Sequence, residues 1–423
     1  MIVDAPSGST TPDQPARAGR SRRAVVGAVS AQFSQALGSF LLQILAARLL
    51  GSEGLAVFAV LFGLVVLGTA VVSGFVGDSL TVLDRADARV RAGLQWWLVV
   101  LSVSLGLVAV VGLGGSAYLS WTDAVIFGLA GMAFVVEDTL RRTLMASMRF
   151  WSIVLVDLAS LIGSVGVVAV VSWTGHDVTL AHFLEGMLLG QVLATLVAVA
   201  VLPAADRWWA RGHADRGLVF DYGKWRALQV SVRPAMLAVM RVIAVAGIGR
   251  AAYGELEGAR LFVAPAMLAV NGASSYLFAR FARTKETATR VLLHQADRGV
   301  FALAAVSLAM GVVAALLAPS VGGAMVGDEF DLDRWSVLGW AVYAAATAAA
   351  TPYGVLAAVR GRQSVTLIAR VADSVFALGG VALAVSVGWS PSTIPFVMAL
   401  FALAGGVAIR QTLVADLTRG RIP

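Results

Sequence analysis

The sequence has 423 residues, of which 59% are hydrophobic and only 13% are charged. Soluble domains contain about 45–50% apolar and about 25% charged residues, so this composition excludes a water-soluble protein and indicates a polytopic membrane protein. The chain contains no cysteine, which excludes thiolate catalysis, cysteine-ligated metals and a disulfide framework. The net charge is +7, and in a membrane protein the loops that carry the basic residues indicate its orientation in the membrane.

Twelve apolar segments have the length of about 20 residues that a helix needs to cross a hydrocarbon core of about 30 Å. They are predicted at 24–48, 55–77, 94–113, 118–138, 151–173, 180–202, 228–249, 258–280, 300–322, 335–357, 364–387 and 391–414. The pattern predicts an all-α membrane protein with an even number of spans, so that both termini lie on one side of the membrane.

The basic residues predict which side this is. Most of the 32 lysines and arginines fall in the two tails and in every second loop, whereas Arg48, Arg250 and Arg334 lie in the opposite loops. Cytoplasmic loops carry the excess of basic residues, so both termini are predicted to be cytoplasmic. We expect a multi-pass protein of the cell membrane, with no nucleic-acid partner.

A basic linker at mid-chain divides the predicted spans into two sets of six. We expect a disordered cytoplasmic tail over 1–23, a first lobe over 24–202, a linker over 203–227, a second lobe over 228–414 and a tail over 415–423. Weak repeats relate the lobes: Glu53-Gly54 matches Glu257-Gly258 at an offset of 204, and Asp157 matches Asp373 at an offset of 216. Repeats of this kind place a transport site at the interface of the two halves.

Two motifs resemble those of a known family. They are Ser30-Ala31-Gln32 through Ala46-Ala47-Arg48 to Glu53-Gly54, and Tyr253-Gly254-Glu255 with Ala259-Arg260, Pro265 and Phe278-Ala279-Arg280. Both resemble the first helices of each half in Wzx-type polysaccharide flippases of the multidrug/oligosaccharidyl-lipid/polysaccharide (MOP) exporter superfamily.

The resemblance implies a V-shaped, MATE-like pair of six-helix lobes that alternate access to a central cavity. The implied activity is the flipping of an oligosaccharide linked to undecaprenyl pyrophosphate, for cell-surface polysaccharide biosynthesis. The protein would then be a monomer and a transporter, not an enzyme. It would use no cofactor beyond H⁺ or Na⁺ coupling, and its partners would be membrane lipids and polysaccharide assembly proteins.

Polar residues inside the spans are the candidate site. Gln32, Gln35, Ser39 and Gln43 form one stripe about 80° wide on a helical wheel, which either lines a hydrated path or binds a neighbouring helix. Arg233, Arg241 and Arg260 are expected to bind the pyrophosphate or acidic sugars, because a guanidinium group suits phosphate. The alternative for each arginine is a structural ion pair. Pro234 follows Arg233 and is expected to kink its helix.

Three acidic residues are candidates for ion coupling: Asp157, Asp373 and Glu185. A buried carboxylate can carry a proton. The alternative is that Asp157 pairs with Arg149 and Asp373 with Arg370. Glu137 and Asp138 stand four residues before Arg141 and Arg142, a spacing that predicts structural ion pairs on one helix.

Two other functions remain open from the sequence. A cation-coupled drug exporter of the same superfamily would favour acidic, aromatic lobes, and a membrane polysaccharide polymerase or ligase would carry a large outer loop. The chain has no Walker A motif, and its four histidines lack metal-ligand spacing, which argues against ATP hydrolysis and a metal site.

Overall fold

The computed structural model describes residues 14–84, 87–207, 213–283 and 289–419, and within these ranges the regular secondary structure is helical. The helices are α1 Gln14–Val72, a π-helical segment Ser73–Gly77, α2 Ser79–Val82, α3 Ala88–Gly115, α4 Trp121–Ala146, α5 Phe150–Trp173, α6 Leu180–Val201, α7 Ala204–Arg207, α8 Arg216–Ile248, α9 Arg250–Arg283, α10 Thr289–Val326, α11 Arg334–Val359, α12 Gln363–Ser386 and α13 Thr393–Thr418.

The first long helix, α1, contains a sharp turn. Gly51 lies inside it with φ 65° and ψ −170°, a conformation that is essentially restricted to glycine. The two arms of α1 therefore correspond to the predicted spans 24–48 and 55–77. The other long helices correspond in order to the remaining predicted spans, which confirms the all-α fold class with two sets of six spans.

Eight of the described helices are long and apolar enough to cross a membrane by length and composition, and the first of these covers 48 residues on both sides of Gly51. Helix α4 is not among them because its sequence contains five charged residues, Asp123, Glu137, Asp138, Arg141 and Arg142. The chain is thus a multi-pass membrane protein. We call the side of the loops 203–215 and 360–362, which the basic residues predict to be cytoplasmic, the inner side, and the opposite side the outer side.

Several predicted boundaries differ from the observed ones. Residues 14–23 of the expected disordered tail are helical, because this alanine- and arginine-rich segment has high helix propensity and its proline lies in the first turn. Helix α8 begins at Arg216, inside the predicted linker 203–227, where the Asp215 carboxylate accepts a hydrogen bond from the backbone N–H of Leu218. Residues 1–13, 208–212 and 420–423 of the tails and linker lie outside the described residues.

Another boundary changes the environment of an acidic residue. Helix α9 begins at Arg250, so Glu255 and Glu257 lie in a helix and not in the outer loop in which the sequence places them. The structural correspondence between the two halves at this point also differs from the repeat predicted from the sequence. Gly249, with φ 87°, separates α8 from α9 as Gly51 separates the arms of α1, and the spacing of these two glycines is shorter than the offset of 204 that relates Glu53 to Glu257.

Each half has its own apolar core, and the cores meet at the outer side. In the second half the fully buried Trp340 lies among residues of α8, α9 and α11, and its indole N–H donates to the carbonyl oxygen of Leu256 at 2.9 Å. In the first half Leu55, Phe58 and Phe183 form the core, and residues of the second half are buried in the same cluster: Leu261, Val326 and Phe330. The halves are therefore in close contact at the outer side.

Candidate functional site

A cavity of about 900 Å³ lies between the two halves on the inner side. Its described lining comes from α8, α9, α11 and α12 of the second half, together with Asp78 and Val82 at the inner end of the first half. The lining extends from Tyr222 and Gln363 near the inner surface to Tyr343, deep in α11. The cavity therefore reaches from the inner surface into the interior of the protein.

The charges in the described lining are mainly positive. Arg226, Arg233 and Arg370 line the cavity, and Asp78 is the one acidic residue in this described set. The Asp78 carboxylate already forms ion pairs with Arg142, at 3.3 Å, and with Arg226. These two arginines compensate the charge of Asp78, so it does not offset the charges of Arg233 and Arg370.

Arg233 lines the cavity beside an aromatic ring. Its guanidinium group lies 5.2 Å from the ring centre of Tyr343, an attractive cation–π geometry. One terminal nitrogen, Nη2, is buried and has no hydrogen-bond partner. Arg370 lies on the adjacent helix α12, where its Nη1 is 3.8 Å from the Asp373 carboxylate, too long for a hydrogen bond. Both guanidinium groups line the cavity and could thus donate hydrogen bonds to an anion bound there.

The other two candidate arginines lie elsewhere, in a buried cluster around Glu257. The Glu257 carboxylate is fully buried and accepts bonds from Arg260 Nε, at 2.8 Å, and from the Tyr253 hydroxyl, at 2.9 Å. Arg241 Nη2 lies 3.5 Å from the same carboxylate. These contacts match the structural alternative for Arg241 and Arg260, which are not among the described residues lining the cavity. Their role as substrate ligands stays a prediction.

This cluster joins the two halves. Arg260 Nη2 donates a 2.7 Å hydrogen bond to the side-chain oxygen of Gln43 in the first arm of α1. Arg241 packs against Gly63 in the second arm, where an added Cβ would lie only 2.7 Å from its Nη1. We call Gln43, Arg241, Tyr253, Glu257 and Arg260 the Glu257 cluster. The cluster joins the halves through the Arg260–Gln43 bond and the Arg241–Gly63 contact, and Glu257 compensates the buried charges of both arginines.

The outer side contains further contacts between the halves, among them Arg250 over the ring of Tyr118 at 5.5 Å. Arg48 donates hydrogen bonds to the backbone oxygens of Ala324 and of Met325, the second at 3.2 Å. Gly254 in α9 lies so close to α1 that a Cβ at this position would overlap the carbonyl oxygen of Ser52. The protein is therefore closed at the outer side and has its cavity on the inner side, which is an inward-facing arrangement.

Gly254 provides a test of this arrangement. Gly254→Ala is expected to separate the halves at the outer side, because a methyl group cannot fit against the Ser52 carbonyl. The chain has no cysteine, so spin labels on cysteines introduced at the exposed positions Glu53 and Asp328 report this separation without background. Longer label distances are expected in the Gly254→Ala protein.

The matched control is Gly379→Ala, since an added Cβ there meets nothing within 4 Å. This variant should keep the wild-type distance distribution. Identical distributions in the Gly254→Ala and wild-type proteins would contradict the close contact between Gly254 and Ser52.

The polar stripe of α1 divides between different environments. Gln43 is buried in the Glu257 cluster, and its amide nitrogen donates to the carbonyl oxygen of Ser39 at 3.0 Å. Ser39 in turn donates to the carbonyl oxygen of Gln35 at 2.8 Å. Gln32 is exposed, and Gln35 is half-buried. The stripe thus contributes a contact between the halves through Gln43, whereas a sugar-binding role for its members stays a prediction.

Asp157 belongs to a buried network of the first half. Its carboxylate lies 2.8 Å from Arg141 Nε and accepts a hydrogen bond from the Ser34 hydroxyl. The prediction that Asp157 pairs with Arg149 is wrong, because the Arg149 side chain donates to the carbonyl oxygen of Val201 at 2.8 Å. The reason is that α4 and α5 are antiparallel neighbours, so that Arg141, one helix earlier, faces Asp157 directly.

The predicted ion pairs within α4 are present. Arg141 Nε lies 3.6 Å from Glu137, and Arg142 Nε lies 2.9 Å from Asp138. The Asp138 carboxylate also accepts a bond from Ser73 in the π-helical segment. These contacts connect α4 to the inner end of α1, next to the cavity residue Asp78.

The remaining two acidic candidates differ in burial. Asp373 is buried on α12 beside Arg370, the partner that the sequence predicts, and one of its carboxylate oxygens has no hydrogen bond. Glu185 is exposed on α6. No group of three or more histidine, aspartate or glutamate side chains that could hold a metal ion occurs among the described residues. Ion coupling through these carboxylates stays a prediction.

Comparison with known proteins gives no match to a protein-family profile or to a curated protein sequence. Solved structures, in contrast, match over almost the whole chain. An inward-facing multidrug resistance MATE family transporter of the MOP superfamily has 15% sequence identity and a TM-score of 0.70, with 91% of this chain and 95% of that chain covered. The chain has the MATE transporter fold.

Two further structures with this fold are informative. A MOP superfamily transporter from Pyrococcus furiosus, described as having a binding pocket of reverse polarity that suggests a different function, has 12% identity and a TM-score of 0.63, with 94% and 95% of the two chains covered. An outward-facing multidrug resistance MATE transporter has 14% identity and a TM-score of 0.60, with 93% and 95% covered. The Wzx-type subfamily is not identified by these similarities.

Within the MATE fold, sequence reasoning missed Glu257 and the cavity residue Arg226. Glu257 has a helical signal: Tyr253 precedes it by four residues and Arg260 follows it by three, so all three side chains lie on one helix face. Arg226 lies in the predicted cytoplasmic linker 203–227, and its sequence context contains no signal that it lines a cavity.

Proposed function

We propose that this protein transports a lipid-linked oligosaccharide, carried on undecaprenyl pyrophosphate, across the cytoplasmic membrane by alternating access of its two lobes. It would act as a monomer, not as an enzyme, and with both termini in the cytoplasm. Its export step would supply polysaccharide assembly proteins at the outer side. An H⁺ or Na⁺ gradient would drive it through the carboxylates described above.

The observation that carries this proposal is the positive charge of the inward-facing cavity. Arg233 and Arg370 present donors without strong partners, and the described Asp78 is already bound to two arginines. A guanidinium group binds phosphate through paired hydrogen bonds, so the cavity favours an anionic headgroup. A volume of about 900 Å³ lies at the upper end of ligand cavities in general and leaves space for sugars beside the phosphates.

The lipid part of such a substrate needs no large cavity. A polyprenyl chain can remain in the bilayer while the charged headgroup crosses between the lobes, since only the headgroup is costly to transfer through hydrocarbon. The threonines Thr347, Thr351 and Thr366 line the cavity beside the arginines and offer hydroxyl oxygens to sugar hydroxyl groups.

A multidrug exporter is the main alternative, because the solved structures with this fold include multidrug resistance transporters. A site for cationic drugs would need uncompensated carboxylates, and the described lining has three arginines for one paired aspartate. A polymerase or ligase is disfavoured because the described outer segment between α10 and α11 covers only residues 327–333.

The proposal is tested by deleting the gene in the source organism and restoring it on a plasmid. We expect the deletion strain to lose surface polysaccharide and to accumulate undecaprenyl-linked oligosaccharide, and the plasmid to reverse both effects. Unchanged surface polysaccharide together with increased sensitivity to cationic drugs would support the multidrug alternative instead.

A further inference from the structure

The inner end of α10 carries a row of basic side chains that the cavity does not use. Arg290, His294 and Arg298 recur every fourth residue, and all three are exposed. On a helical wheel at 100° per residue they lie within a sector of about 80°. None of them forms an ion pair with a described residue. We call these three residues the α10 basic row.

The same face of α10 continues as an apolar surface. Phe301, Leu308, Val312 and Leu316 fall in the same sector of about 80°, and all of them are exposed. Phe301, directly beyond the α10 basic row, is 78% exposed. In a membrane protein, exposed large apolar side chains along a spanning helix face the hydrocarbon of the lipids. The basic row therefore lies on the lipid-facing side of the helix.

The height of the basic row fits the phospholipid headgroups. The predicted span within α10 is 300–322, so Arg290 to Arg298 lie just to the inner side of it. At a rise of 1.5 Å per residue this segment covers about 12 Å along the helix axis, comparable to the headgroup region of one leaflet. A phosphate beside Arg298 would place its acyl chains along Phe301 and Leu308.

The nearest acidic residue in the described part of α10 does not cancel these charges. Asp297 lies next to the basic row, but its carboxylate accepts bonds from Arg410 Nε, at 2.9 Å, and Nη2, at 3.0 Å, and from the Tyr353 hydroxyl, at 2.7 Å. Asp297 thereby fixes α10 to α11 and α13. A groove of about 480 Å³ remains open on the surface; it is lined by Arg290, His294 and Arg298 and by Asp297, whose carboxylate is bonded to Arg410.

We propose that the α10 basic row is a binding site for the headgroup of an anionic phospholipid in the inner leaflet. The residues belong to a lipid-facing helix surface and none of them is among the described residues lining the transport cavity, so the site is independent of the transported substrate. Basic residues that served only to set the membrane topology could lie on any face of this helix end. Here the charges are aligned with the apolar surface that an acyl chain would cover.

The test is phosphatidylglycerol binding to the purified full-length protein in nanodiscs with a phosphatidylcholine background, measured by native mass spectrometry. Each basic residue near an anionic lipid surface strengthens binding by about fivefold. The double variant Arg290→Gln/Arg298→Gln is therefore expected to bind phosphatidylglycerol about 30-fold more weakly than the wild type.

Two control variants separate the proposed site from general charge and from folding. Arg89→Gln/Arg419→Gln removes the same charge from exposed inner positions and should keep wild-type binding. Arg290→Lys/Arg298→Lys keeps the charge and the topology signal, and should bind within a few fold of the wild type. Wild-type binding by the Arg290→Gln/Arg298→Gln protein, or an equal loss in the Arg89→Gln/Arg419→Gln protein, would overturn the proposal.

Discussion

Replacing Arg233 with alanine is expected to weaken the binding of a polyprenyl pyrophosphate by about 10- to 100-fold. The basis is that a hydrogen bond to a charged group contributes about 1.5–3 kcal/mol, and that Arg233 lines the cavity and has a terminal nitrogen without a hydrogen-bond partner. The measurement is a titration of the purified protein with a short-chain polyprenyl pyrophosphate, followed by intrinsic tryptophan fluorescence. Export in the complemented deletion strain should fall in parallel.

Two variants define the origin of this effect. Arg233→Lys keeps the charge but loses the planar fork of donors, so its affinity should lie between those of the wild-type and alanine proteins. Arg89→Ala removes an exposed inner arginine away from the cavity and should leave binding unchanged. If Arg233→Ala bound the pyrophosphate as tightly as the wild type, the assignment of the cavity as an anion site would be wrong.

Replacing Glu257 with alanine is expected to lower the free energy of unfolding by about 3–5 kcal/mol. Removing one partner of a buried ion pair leaves uncompensated charges, and here both Arg241 and Arg260 would lose their carboxylate. The effect should be visible as a large decrease in the melting temperature in detergent micelles. Glu257→Gln should lose less stability, because its amide can still accept a bond from the Tyr253 hydroxyl.

The control for this prediction is Glu185→Gln, at an exposed position of α6. Its unfolding free energy should stay within about 0.5 kcal/mol of the wild type, as for most surface substitutions. A melting temperature of Glu257→Ala equal to that of Glu185→Gln would contradict the Glu257 cluster. The spin-label pair at positions 53 and 328 would also show whether the loss of Glu257 separates the halves at the outer side.

The sequence predicts the helices well because a bilayer imposes one length and one composition on every span. It predicts Arg141 and Arg142 with their acidic partners for a similar reason, since contacts four residues apart depend only on helix geometry. Contacts between helices are different. The pairing of Asp157 with Arg141 depends on how α4 and α5 pack, and Arg149 is closer in sequence but points to Val201.

The candidate site shows the same limit. Arg233 lines the cavity, whereas Arg241 and Arg260, equally rare charges within apolar segments, are bonded to Glu257. All three look alike in the sequence, because a buried charge signals only that some partner exists. Whether that partner is a substrate or a carboxylate follows from the start of α9 at Arg250, which moves Glu257 from a loop into the core.

The turn at Gly51 has a mechanical consequence for transport. Gln43 and Arg48 lie before this residue and Ser52 lies after it, and no loop separates the two arms of α1. The polar contacts of Gln43 and Arg48 with the second half and the close approach of Ser52 to Gly254 thus come from one bent helix. Movement of this one helix away from the second half would break all three contacts, so we expect the outer side to open through a displacement of α1 as a unit.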